Sequence, residues 1–500
     1  MNRYIRVVYF IIISLSLLLF SCSNYKEIDI TPVSVRDIEV CTFSDAPLWN
    51  VHKHITYEQA VEDADDICYL LNTCYIAYDE MLKKGFSEKT FLAAVKDQFA
   101  DCNLIQRDEF CNFLYVQLSP YIQDAHASIE GQAFYQDADI FFSDYYVRQS
   151  ARGYEIVEPS PDEYVGSIIT ECLDEYLFRY PSKGENVFRL GIVSVYPFSE
   201  ITVQTASGPL SITLEKEDVI EKTEDELSAF STDDSLYIKC STFDPDSLPD
   251  KQSLDAFVGY ADLVKQKKYA IIDVRENGGG LGLYQFNFLK AIFMNEEKSF
   301  GDYVSNRILL YKIDTQSDSS TYICSPLIVK SLSAFRDHYV KDVSVLGNIK
   351  SFNTEYQNDN PHRSLVVTRN TTGIRSNYKT EYSGTLIFLI DRNSASAAEA
   401  LCIEAKSVFP ESQVYILGEN SFGAMSNGTP LQYVLKHSRI IVSLPIQRQG
   451  GEVAYFQGEG IGIYPDYWST TEDLNETINF ITGDSKMRSL LTSLFYKETH

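Results

Sequence analysis

Apolar residues recur at three- and four-residue steps along residues 56–85, and this spacing predicts an amphipathic helix. The apolar positions are Val61, Ala64, Cys68, Leu71, Tyr75, Tyr78 and Leu82. Thr56 and Gln59 fit a capping box at the start of this helix. The segments SEKTFLAAVKDQFA and IQRDEFCNFLYVQLSPYI have the same period and predict further helices as far as about residue 122. We therefore expect a helical N-terminal subdomain over residues 45–149.

The pattern changes twice after this subdomain. Short β-like runs such as VFRLGIVSVY and ITVQTAS, separated by Gly, Pro and Ser, predict a small β domain over residues 150–230. Strand and helix signals then alternate over residues 231–480, as an α/β core requires. The predicted strands include YAIIDV, TLIFLID and QVYILG, and the predicted helices include GLYQFNFLKAIF and SASAAEALCIEAKSV. Residues 296–383 form a long mixed insertion, and residues 481–500 form a C-terminal segment.

Composition and charge narrow the class of protein. The chain has 500 residues, 44% of them hydrophobic, which indicates folded domains and not disorder. Its formal net charge is −27. Because such a chain repels phosphate backbones, we do not expect nucleic acid as a partner. No C-x-x-C pair occurs among the ten cysteines, so neither a metal site nor thioredoxin-like chemistry is indicated.

The first residues have the features of an export signal. Arg3 and Arg6 precede an apolar stretch over residues 7–20, which is short for a membrane span. Leu-Phe-Ser-Cys at residues 19–22 resembles the lipobox of bacterial lipoproteins, in which the cysteine is lipidated. Residues 1–21 are then a signal peptide, Cys22 is the lipidation site, and residues 22–44 are a tether. An uncleaved signal anchor is the alternative.

Ser396 begins a predicted helix directly after the predicted strand TLIFLI. With Glu399 it forms S-x-x-E, the pattern of a helix cap. The same turn would also project a nucleophilic hydroxyl beside free helix N–H groups, which can hold an oxyanion. Gly278, Gly279 and Gly280 follow the strand YAIIDV and would let a ligand approach the backbone closely. The sequence by itself leaves both roles of Ser396 open.

Four segments in order, IIDVRENGGG, LIFLIDRNSASAAEAL, GENSFGAMSNG and GEGIGIYPD, resemble the tail-specific or carboxyl-terminal processing peptidases, a family that includes the tricorn core. The resemblance implies a ClpP/crotonase-like α/β core with Ser396 as nucleophile. It implies an oxyanion hole from the N–H of Ala397 and that of Gly278 or Gly279. Relatives often carry a PDZ domain before the core, so a PDZ-like fold is one alternative for residues 150–230.

One departure from this family concerns the general base. Many members use a lysine after the nucleophile, but this chain has Ala424 there, and Lys406 is expected to point elsewhere. The tricorn-like branch uses a histidine and a glutamate instead, and similarity to that branch implies His126 and Glu459. Where that branch has a serine before the histidine, this chain has Ala125.

Asp124 or Ser128 could orient the His126 imidazole in place of the missing serine. In the family's terms, the expected protein is an exported, lipid-anchored serine endopeptidase that acts on peptides or unfolded proteins without a metal or organic cofactor. It would sit in the bacterial cell envelope, with the outer membrane favoured, facing the periplasm or the cell surface. A non-catalytic lipoprotein that binds peptides or envelope components, and a hydrolase of other esters or amides, are the alternatives.

Overall fold

The structure is a computed structural model. It describes residues 53–159, 163–217, 226–248, 253–293, 320–324, 351–353, 365–369, 380, 382–448, 455–470 and 473–483. The predicted signal peptide, Cys22, the tether and most of the 296–383 insertion lie outside the described residues. No helix in the described part is both long enough and apolar enough to cross a membrane.

The described chain contains the following elements in sequence order. The α-helices are α1 (Tyr57–Thr73), α2 (Tyr78–Lys83), α3 (Glu88–Phe99), α4 (Arg107–Leu118), α5 (Leu254–Gly259), α6 (Ala261–Val264), α7 (Gly282–Phe293), α8 (Ala397–Val408) and α9 (Leu474–Thr482). The strands are β1 (His54–Ile55), β2 (Ile105–Gln106), β3 (Asp124–Ile129), β4 (Gln132–Phe134), β5 (Asp139–Ser150), β6 (Gly153–Glu158), β7 (Ile168–Glu171), β8 (Leu177–Arg179), β9 (Val187–Ser194), β10 (Glu200–Thr205), β11 (Gly208–Thr213), β12 (Glu215–Lys216), β13 (Leu227–Ser231), β14 (Ser235–Cys240), β15 (Tyr269–Asp273), β16 (Ser320–Cys324), β17 (Ser351–Asn353), β18 (Leu365–Arg369), β19 (Thr385–Ile390), β20 (Val414–Gly418), β21 (Asn427–Val434), β22 (Ile441–Arg448) and β23 (Tyr467–Trp468).

The helices predicted near the N-terminus are present, with one break. Thr56 and Gln59 form the expected capping box at the start of α1. The helix predicted over residues 56–85 is divided into α1 and α2, because the Ile76 N–H donates to the carbonyl of Pro445 at 3.2 Å. The Ile76 N–H therefore bonds a distant carbonyl and not one in the preceding turn of the helix. Helix α4 ends two residues before Pro120, whose preceding residue disfavours helical geometry.

The last part of residues 45–149 contains the strands β3, β4 and the start of β5 where the sequence analysis expected a helical subdomain. Strands β3 and β4 join the hairpin of β21 and β22 in a sheet of order β21-β22-β3-β4. Val442 pairs with Ile129 across more than 300 residues of sequence. Ile129, Phe134 and Val442 are buried together with the inner faces of the N-terminal helices. One core therefore joins the N-terminal helices to a hairpin from the far end of the chain.

The small β region is an antiparallel sheet of order β11-β10-β7-β6-β5-β9-β8, with β12 also pairing with β5. It begins at Asp139, before the expected boundary at residue 150. Phe141 and Phe142, neighbours on β5, face two different apolar clusters, as alternation along a strand requires. Phe142 packs edge-on against Trp468 of β23, which connects this sheet to the core. A PDZ-like fold for this region stays a prediction.

The core sheet has the order β13-β14-β15-β19-β20-β23, and its strands are parallel from β14 onward. Its central strands are continuous apolar runs because both faces are covered. Ile272 and Phe388 face the helices α5–α8 on one side, whereas Ile271 and Ile387 face α9 on the other. The predicted strands YAIIDV, TLIFLID and QVYILG are confirmed, and so is the α/β fold class.

Strands β15, β19 and β20 are adjacent and parallel, so the loops after them meet at one edge of the sheet. These loops carry the glycine run 278–280, the turn before Ser396, and residues 419–424. In open α/β sheets, ligands bind at this carboxyl edge. The fold thus brings three of the four family-like segments to the same place.

Candidate active site

Ser396 occupies a strained turn between β19 and α8. Its backbone has φ 51° and ψ −106°, a conformation that costs a non-glycine residue on the order of 1–3 kcal/mol. The turn is held on both sides: the Ala395 N–H donates to the Asn277 carbonyl at 2.8 Å, and the Ser396 N–H donates to Glu399 Oε2 at 2.8 Å. These bonds fix the position of the serine hydroxyl.

Glu399 is fully buried and joins this turn to the loop after β20. Its carboxylate also accepts the Ser421 hydroxyl at 2.5 Å and the N–H groups of Gly423 and Ala424 at 2.9 and 2.8 Å. Burial raises the pKa of Glu399, and the donors partly offset this rise. The main-chain N–H at Ala424, where many relatives carry their lysine, is thus part of the support for Ser396.

His126 of β3 is the basic group next to Ser396. Its Nε2 lies 3.3 Å from Ser396 Oγ, within reach for proton transfer in an unliganded site. The serine can donate to Nε2 only when the imidazole proton is on Nδ1, and Nδ1 is buried without a bond of strict hydrogen-bond geometry among the described residues. Burial lowers the pKa of His126, whereas the charge of Asp124 and an interaction with the Asn427 main chain oppose this change. The neutral, proton-accepting form is therefore favoured.

Glu459 lies near His126, but its carboxylate does not bond the imidazole. Its Oε1 accepts the Ser426 N–H at 2.6 Å, and its Oε2 accepts the Ala125 N–H at 3.3 Å. Burial, followed by the nearby charge of Asp124, raises the pKa of Glu459 to about 8. The glutamate implied by the resemblance thus contacts the main chain at Ala125, next to the histidine, and at Ser426.

Two backbone N–H groups close to Ser396 in the structure are candidates for an oxyanion hole. The Ala397 N–H is the first of α8, and neither it nor the Gly278 N–H has an acceptor among the described residues. The Gly279 N–H instead donates to the Asn277 side chain at 2.9 Å. Of the two glycines left open by the sequence, Gly278 therefore has the available donor. A pair of such donors can stabilise an oxyanion.

Other residues that the sequence singled out have structural partners. Lys406 forms an ion pair with Asp466 at 2.6 Å, so it points away from Ser396, as expected. The buried Ser394 hydroxyl donates to the Val274 carbonyl at 2.7 Å. Sequence reasoning did not single out Tyr75 or Asn427, both of which donate to Asp124. Tyr75 fitted the apolar stripe of a helix, and nothing in its local pattern indicates a role at the site.

A serine on a strained strand–helix turn, a histidine within proton-transfer reach and two unoccupied N–H donors form the arrangement used by serine hydrolases. Residues 234–468, the segment that carries the serine, match the family model described as Peptidase family S41. This match covers just under half of the chain, and it supports a serine-type peptidase.

Comparisons of the whole chain with curated proteins and with solved structures found at most distant similarity. No curated protein matches the chain. Among solved structures, mature CPAF has 14% sequence identity and a TM-score of 0.43, over 86% of this chain and 98% of that one. The photosystem II D1 C-terminal processing protease has 14% identity and a TM-score of 0.33, over 85% and 96%. A putative S41 protease from Bacteroides fragilis NCTC 9343 has 12% identity and a TM-score of 0.33, over 87% and 97%. Identities and TM-scores this low carry no argument about activity or substrate.

Proposed function

We propose that this chain is an exported, lipid-anchored serine endopeptidase that cleaves unfolded proteins through an acyl-enzyme at Ser396. The observation that carries the proposal is the 3.3 Å separation of Ser396 Oγ from His126 Nε2 at the carboxyl edge of the core sheet. His126 is then the general base, because this chain has Ala424 at the position where many relatives have a lysine. The lipobox-like residues around Cys22 support the lipid anchor.

The residues support an acyl-transfer sequence in two halves. Ser396 Oγ bonds to the scissile carbonyl carbon while its proton passes to His126 Nε2, and the oxyanion is held by the N–H groups of Ala397 and Gly278. The C–N bond then breaks, and Nε2 gives its proton to the leaving amine. Water attacks the ester with His126 again taking the proton, and the C–Oγ bond breaks as that proton returns to Oγ.

The test is hydrolysis of fluorescein-labelled, reduced and carboxymethylated casein by the purified protein and by Ser396→Ala. We expect the variant to lose activity to the background rate while its thermal unfolding remains that of a folded protein. A fluorophosphonate probe should label Ser396 and leave Ser394, two residues away and buried, unmodified, as read by peptide mass spectrometry. Undiminished turnover by Ser396→Ala would overturn the proposal, and casein binding without turnover by the wild type would favour the binding-protein alternative.

A further inference from the structure

No side chain among the described residues accepts a hydrogen bond from Nδ1 of His126, and the Asn427 main chain interacts with the imidazole only outside strict hydrogen-bond geometry. In serine hydrolases, a third group usually orients the histidine and stabilises the imidazolium that forms when serine gives up its proton. Asp124, Ser128 and Glu459 are the polar residues that the sequence offers for this role. Their contacts distinguish them.

Asp124 is fully buried and lies two residues before His126 on β3. Its Oδ1 accepts the His126 backbone N–H at 2.9 Å. Its Oδ2 accepts the Tyr75 hydroxyl at 2.9 Å and the Asn427 side-chain amide at 2.7 Å. Three donors from three separate parts of the chain therefore converge on this carboxylate. Burial raises the pKa of Asp124, and the charge of His126 together with these three donors opposes that rise and favours the ionised carboxylate when the imidazole is protonated.

The other two candidates fit less well. The Glu459 carboxylate is occupied by two main-chain N–H groups, and with a pKa raised to about 8 it is largely neutral at pH 7. Ser128 carries no charge and, in the described part of the chain, makes no hydrogen bond to the imidazole. Ser128 has no charge to offer an imidazolium, and Glu459 has two donors to hold a negative charge where Asp124 has three.

We propose that Asp124 is the positioning residue of His126: it fixes the histidine main chain on β3 and supplies the negative charge that stabilises the imidazolium. This inference rests on the proposed function of Ser396 and His126. The Asp124 carboxylate acts on the imidazole through its charge and on the His126 main chain through a hydrogen bond, and it does not bond Nδ1. The resulting site differs from a triad with a direct carboxylate–imidazole bond.

The chemistry follows from charge. When Ser396 attacks, His126 becomes positive in a buried position, and the charge of Asp124, which acts on the imidazole, lowers the cost of this charge. The other ionisable groups that face the site are Tyr75 beside Asp124, Glu459 on the loop before β23, and Glu399 on α8. Tyr75 keeps its proton as a donor, and Glu399 is committed to four donors around the serine turn. Asp124 is therefore the anion that bears most directly on the imidazole.

The test is Asp124→Asn, assayed for kcat and KM on the labelled casein from pH 5 to 9. Asparagine keeps the acceptor for the His126 N–H. Its amide nitrogen replaces the oxygen that accepts from Tyr75 and Asn427, so the Tyr75 hydroxyl must accept, and the Asn427 amide must turn to present Oδ1, which lacks a partner among the described residues. The substitution removes the charge and keeps the size of the side chain. We expect kcat to fall about 10- to 100-fold with KM little changed, because one buried charge interaction is removed. The apparent pKa of the base in kcat/KM should fall by about one unit, because the anion favoured the protonated ring.

Asp63→Asn is the matched control. Asp63 is equally buried in the helical subdomain and accepts the N–H groups of His437 and Ser438 at 3.0 and 2.7 Å, but it makes no contact with Ser396 or His126. Its substitution should lower stability without moving the pH profile. An unchanged profile and kcat in Asp124→Asn, while Ser396→Ala is inactive, would refute the role of Asp124 alone. A loss and shift in Glu459→Gln would assign the role to Glu459, whereas full activity in Ser396→Ala would refute the proposed function itself.

Discussion

At the scale of single residues, the strained turn of Ser396 depends on a neighbouring glycine. Gly279 has φ 92°, and a Cβ added there would lie 2.8 Å from both the Ala395 carbonyl oxygen and Ser396 Cβ. A side chain cannot fit without moving the serine. The glycine run was visible in the sequence, but the different roles of its members were not. Only the structure distinguishes the glycine that contacts the serine from the one that keeps an open N–H.

Gly279→Ala should therefore destabilise the fold by at least about 2 kcal/mol, from the left-handed backbone and the overlap together. Its activity on casein should fall further than its stability explains, because Ser396 is displaced. Gly278→Ala is the matched control, since a Cβ there meets open space and the N–H remains. Denaturant unfolding and single-turnover labelling by a fluorophosphonate measure the two effects. Equal stability of the two variants would show that the turn does not depend on Gly279.

At the scale of elements, α7 follows the glycine run, α8 begins with Ala397, and the two helices pack against each other. Glu404 of α8 is buried beside Gln285 of α7, and Glu404 Oε2 and Gln285 Oε1 have no hydrogen-bond partner among the described residues. A proton on Glu404 would supply the missing donor. Burial raises the pKa of Glu404 to about 8, in agreement with a neutral carboxyl between the helices.

This helix contact should make stability depend on pH. Below an unfolded pKa of about 4.3 both states hold the Glu404 proton, but as pH rises only the folded state keeps it, so stability falls until about pH 8. The slope for this group is at most about 1.4 kcal/mol per pH unit. Glu404→Gln, which mimics the neutral form, should flatten the decline in urea unfolding measured from pH 5 to 8. The exposed Glu411→Gln is the control; an identical pH slope in wild type and Glu404→Gln would contradict a buried neutral carboxyl.

Elements were predicted where local pattern and tertiary structure agree. The central strands are apolar on both faces and the helix of Ser396 has a clear cap, so β15, β19 and α8 follow from the sequence. Strand β3, which carries His126, does not follow from the sequence in this way. Its partner β22 lies about 300 residues later, and its burial comes from helices that precede it. A strand stabilised by such distant contacts has no strong local signal.

At the scale of the whole molecule, the site is assembled from distant segments: His126 and Ser396 are 270 residues apart in sequence. The sequence indicated both through their resemblance to a family, not through any local pattern joining them. The Asp124 network could not be predicted in the same way, because Tyr75 and Asn427 meet only when the N-terminal helices pack on the β21–β22 hairpin. Packing between these parts thus controls the geometry of the base.

The proposed anchor is compatible with this assembly because it lies far from it along the chain. Residues 23–52 separate Cys22 from the first described residue, and a chain of that length can span at most about 100 Å. We therefore expect Cys22→Ser to abolish lipid attachment without altering the active site. In a bacterial host that processes lipoproteins, the variant should move from the membrane pellet to the soluble fraction, while its kcat and KM on casein match those of the detergent-solubilised wild type. An unmodified Cys22 in the intact wild-type protein, or a variant that remains in the membrane pellet, would instead favour an uncleaved signal anchor.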